Sequence, residues 1–352
     1  MNILEKIQTN IKKHEIESII IESPYNRRYA TGFTGTFGVA FITKDKAKFI
    51  TDFRYTEQAT NQAVHFDIVE NRNTTEEIAK LVNELGIKTV GFEEEHVSFK
   101  QYSQLKEKLN ATLVPVSNLV EGLRQIKSEE EINKIKIAAN IADKAFSNIL
   151  NDLRPGVTEM EINNKMEMYM REAGATSSSF DLIIASGHRS AMPHGVASTK
   201  EIETGDMVTL DFGALYEGYC SDMTRTVAVG EPNSQLKEIY EIVKEALNLG
   251  TKAIKSGVSC ELVDSVVRDY ISSKGYGEYF GHGTGHSFGL EIHEHPYFAQ
   301  KSTDVLKAGM VMTIEPGIYL PNIGGVRIED DILVTNNGFE VLTSSQRDLI
   351  VL

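Results

Sequence analysis

Cysteine is scarce, with two residues in 352, Cys220 and Cys260. Neither belongs to a C-x-x-C pair, which excludes a zinc ribbon and a dithiol redox motif. Two buried thiols in a reducing cytosol are expected instead. Positive charge is also short, with 36 Lys and Arg against 50 Asp and Glu and a formal net charge of −14. No basic stripe is present, so a broad nucleic-acid footprint is excluded. Long apolar runs are missing, and none reaches the length of a membrane span. The opening Met1-Asn2-Ile3-Leu4-Glu5-Lys6 starts an amphipathic helix and lacks the apolar stretch of a signal peptide. The expectation is a cytoplasmic protein without nucleic-acid or membrane partners. Its 41% hydrophobic and 24% charged residues suit a soluble globular chain of two or three domains.

Up to about residue 125 the chain alternates strand-like and helix-like segments, as an α/β domain does. Ser18–Ile21 reads as a buried strand, and Phe37–Thr43 with Ala47–Thr51 reads as a hairpin around Lys44-Asp45-Lys46. Phe53–Asn61 and Thr74–Leu85 have helical character, with Thr74 as N-cap. Lys88–Gly91 and Thr112–Val116 read as further strands. Beyond residue 125 a long helix begins at Ser128, which stands in capping-box spacing with Glu131. The expected domains are residues 1–125 and 126–352.

The second part compares with itself. Gly156-Val157-Thr158 matches Gly257-Val258-Ser259 at an offset of 101, and Gly205–Gly213 resembles Gly309–Gly317 at an offset of 104. Each copy reads as helix, turn, helix, then strands. Asp211 and Glu315 are then equivalents, and a pseudo-twofold site is expected between the halves.

Four carboxylates straddle two turns. Asp211 and Asp222 flank Tyr216-Glu217-Gly218, and Glu315 and Glu329 flank Pro321–Gly325. If each turn closes a hairpin, Asp211 lies across from Asp222 or one position away, and Glu315 lies across from Glu329. Opposed side chains sit about 4.5–5.5 Å apart at Cβ, where like charges repel. The neighbours Val208, Leu210, Ile314 and Ile328 indicate buried strands, and acids there are expected to be paired or to hold metal. Four carboxylates balance two divalent cations. His286, in the glycine-rich Gly281–His286 loop, is the expected imidazole ligand. Such a ligand set suits Mn²⁺, Co²⁺ or Zn²⁺. His194, His282 and His293 stand nearby as candidate proton donors or oxyanion stabilisers. Arg327 shares a strand face with Glu329 and could orient it.

The order Asp211, Asp222, His286, Glu315, Glu329 resembles the five-ligand set of the pita-bread metallopeptidases. His282–Glu294 is similar to the signature of aminopeptidase P and proline dipeptidase, with Phe288 where an aliphatic residue is usual. Glu315–Tyr319, Arg327–Glu329, Asn26–Gly32 and the Asp52–Tyr55 region extend the resemblance over nearly the whole chain. The resemblance implies an α/β (α+β) architecture: a creatinase/prolidase-type N-terminal domain for dimerisation and substrate access, then a pita-bread catalytic domain. It implies hydrolysis of the bond between an N-terminal residue and proline by a hydroxide bridging two metal ions, with Mn²⁺ first among them. Glu315 would also accept a proton, His293 would stabilise the intermediate, and His194 and His282 would face substrate. His194 then also counts with Glu315 and His293 in the catalytic set, and Arg327 with the substrate-binding set. Substrates would be Xaa-Pro dipeptides or short Xaa-Pro peptides, and the enzyme would be a homodimer. The alternatives are a creatinase-like C–N hydrolase and a catalytically inert pita-bread binding protein.

Overall fold

The computed structural model describes residues 1–352. The chain divides into two compact units, Met1–Arg124 and Gln125–Leu352. No helix is long and apolar enough to cross a membrane, and both cysteines are buried free thiols.

The first unit carries a six-stranded sheet in the order Asp67–Glu70, Ala47–Thr51, Val39–Thr43, Ser18–Ile21, Thr89–Glu93, Thr112–Val116. Ser18–Ile21 is buried along its whole length. It pairs antiparallel with Val39–Thr43 and parallel with Thr89–Glu93, a central position that demands an apolar run. Ile20, Phe41 and Val90 pack with Ile78, Leu81 and Leu105 from helices Thr74–Leu85 and Phe99–Lys108. Two expectations are corrected. The cap of the helix at Thr74 is Asn73, whose Oδ1 accepts the Glu76 N–H at 3.3 Å; asparagine is the stronger capping residue. The helix expected from Phe53 starts at Thr56, because the Asp52 carboxylate takes both the backbone N–H and the guanidinium of Arg54 and folds that stretch into a turn.

The second unit is duplicated. Helices Glu129–Ile149 and Glu159–Glu172 lead to a three-stranded sheet of Ile183–Ser186, Asp206–Phe212 and Met223–Val229. Helices Ser234–Ala253 and Cys260–Ser273 lead to a five-stranded sheet that includes Gly285–Ser287, Val311–Ile314 and Asp330–Val334. The repeat extends to backbone detail. Thr158 and Ser259 are both N-caps, and they form the matching bridges Thr158↔Glu201 and Ser259↔Val305. Gly205 and Gly309 share φ values of 96° and 91°. Ile162 and Met166 pack with Val208 and Leu210 in one core, and their equivalents Val263 and Val267 pack with Met312 and Ile314 in the other.

Both carboxylate-bearing turns close hairpins. In the first, Tyr216 pairs with Tyr219 across Glu217 and Gly218, which have φ values of 46° and 84°. Asp211 pairs with Thr224, so Asp222 lies two positions from that partner. The expected register is therefore corrected by one residue: Asp211 and Asp222 are diagonal neighbours on one face. In the second hairpin, Ile314 pairs with Asp330 and Gly317 with Arg327. One register runs through both ladders, and Glu315 falls opposite Glu329 in the gap between them, as expected. The two halves are stitched where the Glu329 N–H donates to Thr224 O at 3.0 Å and Thr226 Oγ1 donates to Arg327 O at 2.9 Å.

Gly213 passes beside the diagonal pair. A Cβ there would lie 1.8 Å from Ser221 O and 2.3 Å from Ser179 Oγ. Gly213→Ala must splay the hairpin, and we expect a loss of about 1–3 kcal/mol or more, read by denaturant unfolding. A variant as stable as the parent would contradict this packing.

Candidate metal centre

Strand ends place the acidic groups. Asp211 lies on Asp206–Phe212, while Asp222 directly precedes Met223–Val229. Glu315 directly follows Val311–Ile314, and Glu329 directly precedes Asp330–Val334. His286 occupies the middle of the short strand Gly285–Ser287. Close backbone approach puts it there, since a Cβ on Gly285 would meet Thr313 O at 2.2 Å. Ligand atoms of Asp222, His286 and Glu329 lie within 4.8 Å of one another. His286 Nε2 is 3.5 Å from Asp222 Oδ2 and 3.7 Å from Glu315 Oε1. Its Nδ1 is 3.1 Å from Ser287 O, which assigns the proton to Nδ1 and leaves the Nε2 lone pair facing the carboxylates.

Asp211 is held differently. Arg327 Nη2 donates to its Oδ2 at 2.6 Å, Nη1 donates to Tyr319 Oη at 2.9 Å, and Nε donates to Thr224 Oγ1 at 3.1 Å. Thr224 in turn donates to Glu329 Oε2 at 2.6 Å. Arg327 therefore spans the two hairpins, touching Asp211 directly and Glu329 through Thr224. The expected orienting role of Arg327 toward Glu329 thus runs through Thr224, while its direct contact is with Asp211 on the other hairpin. Tyr319 and Thr224 were not expected at the site. Their signals were the four-residue spacing from Glu315 and the two-residue spacing from Asp222.

Asp211, Asp222, His286, Glu315, Arg327 and Glu329 border one cavity of about 460 Å³. His194, His282, His293, Phe180, Ile183 and Ile292 line it as well. The His293 ring stands edge-on to His286 at 4.5 Å between centroids. His282 Nε2 is 2.8 Å from Tyr319 Oη, and its Nδ1 is 2.8 Å from Gly283 O. Both of its nitrogens are thus engaged within the protein.

The electrostatics fit a cation. Burial, followed by the charges of Glu329 and Asp211, holds Asp222 well above the usual carboxylate range. Burial, then Glu315 and Asp211, does the same to Glu329. Burial pushes Glu315 up to about 8; its side chain is 19% exposed, but toward the cavity. Asp211 Oδ1 and Asp222 Oδ1 are buried without a hydrogen-bond partner. Carboxylate oxygens left bare and crowded together, beside an imidazole lone pair, are the donors that hard or borderline divalent cations take.

Such a centre, set between duplicated α/β halves, defines a metal-dependent hydrolase. The sequence matches Metallopeptidase family M24 over residues 133–336 and the Creatinase/Prolidase N-terminal domain over residues 3–126. The chain belongs to family M24 and is a metallopeptidase. It is 42% identical to the Xaa-Pro dipeptidase of Pyrococcus furiosus over 99% of both chains. Its fold superposes on a Xaa-Pro dipeptidase from Bacillus anthracis with a TM-score of 0.98 and 56% identity, covering 99% of each chain. An X-Pro aminopeptidase from Thermotoga maritima gives 0.91 and 40%, covering 98% of this chain and 100% of that one.

The raised carboxyls carry a pH signature. A carboxyl whose folded pKa lies above its unfolded value stabilises the fold at low pH, and that stability is lost as pH rises through the folded pKa. His282 and His286, both lowered to about 4 by burial, oppose this only up to the ordinary histidine pKa of about 6.5. From about pH 6.5 to 8 the carboxyl effect therefore stands alone. We expect the Tm of metal-stripped protein to fall across that window and metal loading to release protons and flatten the slope. Thermal unfolding in EDTA and with Mn²⁺ checks it; a metal-free Tm that climbs would refute it.

Proposed function

We propose that this chain hydrolyses the peptide bond between an N-terminal residue and a following proline, using two divalent cations with Mn²⁺ first among them. The carrying observation is the convergence of buried carboxylates and His286 on a cavity also lined by His194 and His293. The Xaa-Pro names of relatives covering the whole chain support the substrate class. Asp211, Asp222, His286, Glu315 and Glu329 would hold the cations, which supply Lewis acidity and acidify the attacking water.

The chain's own residues do the rest. Glu315, with its pKa of about 8 in the metal-free protein, is suited to accept the proton from that water. Burial lowers the pKa of His293, so it is neutral near pH 7 and stabilises the developing oxyanion by donating an N–H hydrogen bond. A peptide bond to proline carries no N–H, and recognition falls to shape. Phe180, Ile183 and Ile292 offer the ring an apolar wall. His194 faces substrate on the same lining. We assign residues 1–125 to assembly of a homodimer and to substrate access, and the enzyme to the cytoplasm.

One observation bears on peptide length. Arg327 is the single Lys or Arg of the lining, and its guanidinium is committed to Asp211, Tyr319, Thr224 and Pro193 O. The carboxylate of a dipeptide finds no uncommitted Lys or Arg side chain there, which favours acceptance of longer Xaa-Pro peptides beside dipeptides.

Glu315→Gln should abolish turnover, and His293→Ala should lower kcat by roughly 10²–10³ with metal content intact. Steady-state kinetics with metal analysis checks both; full activity of Glu315→Gln would sink the assignment, and metal loss in His293→Ala would make that residue a ligand. Absence of turnover in the metal-loaded parent would favour an inert binding protein. A panel of an Xaa-Pro dipeptide, tripeptide and pentapeptide should show all three cleaved; hydrolysis confined to the dipeptide would define a strict dipeptidase.

A further inference from the structure

His194 lies outside any strand, on the excursion between Ser186 and Ser198. The segment forms one short 3-10 turn at Gly187–Ala191 and then runs as irregular chain. Such a segment has no ladder to fix it. Ser190 Oγ accepts the Gly325 N–H at 2.8 Å, and Pro193 O accepts from Arg327 at 3.3 Å; both ends of the excursion are held by one carboxylate, that of Glu159, which is fully buried in the first turn of helix Glu159–Glu172. Its Oε1 accepts the Ser186 N–H at 2.8 Å and the Ser186 hydroxyl at 2.9 Å. Its Oε2 accepts the Ser198 N–H at 3.0 Å and the Ser198 hydroxyl at 2.6 Å. Arg189 Nε bridges the two oxygens at 3.2 and 3.0 Å, while its Nη2 donates to Val196 O at 2.6 Å. Both ends of the excursion, and a point two residues past His194, are therefore tied to one buried charge.

The internal repeat shows that the fold itself does not require this acid. The equivalent position in the second half is Cys260. The matching backbone bond is retained, with Glu159 N–H donating to Lys200 O at 3.0 Å and Cys260 N–H donating to Asp304 O at 2.9 Å. The second half instead ties its own histidine loop through Asp264 and Arg268. Arg268 donates to Asp264 at 2.9 and 2.7 Å and to the carbonyls of Phe280 and His282 at 3.0 and 2.8 Å. Each half thus carries a buried acid–arginine pair that holds a segment bearing a cavity histidine, built from residues at different repeat positions. That independence points to the histidines, rather than to the helices, as what the pairs serve.

We propose that Glu159 is a positioning residue: through Ser186, Arg189 and Ser198 it sets the placement of His194 against the substrate. The inference rests on the reading of His194 as a substrate-side group. Misplacing a reacting group by about 1 Å can cost on the order of 100-fold in rate. Residues that act through one another show non-additive losses.

The experiment is a double-mutant cycle on the full-length, Mn²⁺-loaded enzyme with an Xaa-Pro substrate. It compares Glu159→Gln, His194→Ala and the double variant, with metal content measured for each. Glu159→Gln is expected to lower kcat/KM by about 10- to 100-fold with metal content unchanged, and by less than about 3-fold when His194 is already alanine. Equal losses in both backgrounds, or no loss from Glu159→Gln, would overturn the inference while leaving the role of His194 in place. A His194→Ala variant with parental kcat/KM would overturn both, and the single variant alone reveals it. Should Glu159→Gln fail to fold, Ser198→Ala and Arg189→Lys each remove part of the tie. Their smaller losses must likewise vanish in the His194→Ala background, and additivity there would refute the proposal.

Discussion

Like charges repel strongly when they are withdrawn from water, and the second unit is organised around four carboxylates that border one cavity. Arg327 offsets Asp211 and, through Thr224, fixes one oxygen of Glu329. Nothing comparable balances Asp222, whose Oδ1 is buried without a partner. The remaining excess is carried either by protons, as the raised pKa values of Asp222, Glu315 and Glu329 show, or by cations. Protons and cations therefore compete for the same oxygens. The His286 tautomer belongs to the same balance, since its Nδ1 proton is directed to Ser287 O and its lone pair to the acids.

Duplication explains how so costly an arrangement is reached. A single half contributes one hairpin with two acids at its base. Two halves related by the repeat bring both bases together, joined by the bonds from Glu329 to Thr224 and from Thr226 to Arg327. The four acids then sit on or beside ladder pairs, whose geometry is set by backbone bonds. The histidines that line the cavity are placed otherwise. His194, His282 and His293 lie on connecting segments, and buried charge pairs do there what ladders do for the acids. Lys127 belongs to the same pattern, donating to Ser287 Oγ and Glu294 Oε2 at 3.2 Å beside His293.

Much of this was legible in the residues because periodic patterns and turns are local. The repeat was visible in Gly156 and Gly257, and the hairpins in Glu217-Gly218 and Pro321–Gly325, since those turns need particular backbone angles. Register was harder: a turn centred one residue further along moves Asp222 two positions off the residue opposite Asp211 without changing any residue type. Helices Pro24–Thr31 and Phe99–Lys108 and the edge strand Asp67–Glu70 escaped notice. Pro24–Thr31 is polar, and its mean composition resembles a loop until Asn26 and Arg27 are seen to be buried. Asp67–Glu70 lies at the sheet edge, where only Val69 packs against the core, and four residues are too few to show an alternation. The links from Arg327 to Asp211 and from Glu159 to Ser198 span 116 and 39 residues, and no local pattern encodes them.

The histidines show why burial matters as much as placement. His282, His286 and His293 all have lowered pKa values, with burial the leading cause, so each is neutral where carboxylates and cations balance. A charged imidazolium would compete with a cation for Asp222 or Glu315; a neutral ring cannot. Neutrality also fixes direction, because each ring then has one donor and one acceptor. In His282 both are assigned: Arg327 donates to Tyr319 Oη, the Tyr319 hydroxyl donates to His282 Nε2, and His282 Nδ1 donates to Gly283 O. That chain begins at the guanidinium holding Asp211, so the orientation of His282 is coupled to the charge state of the centre. His293 carries no such chain and is held by edge-on packing against His286, which leaves its ring nitrogens free for the role proposed for it at the cavity.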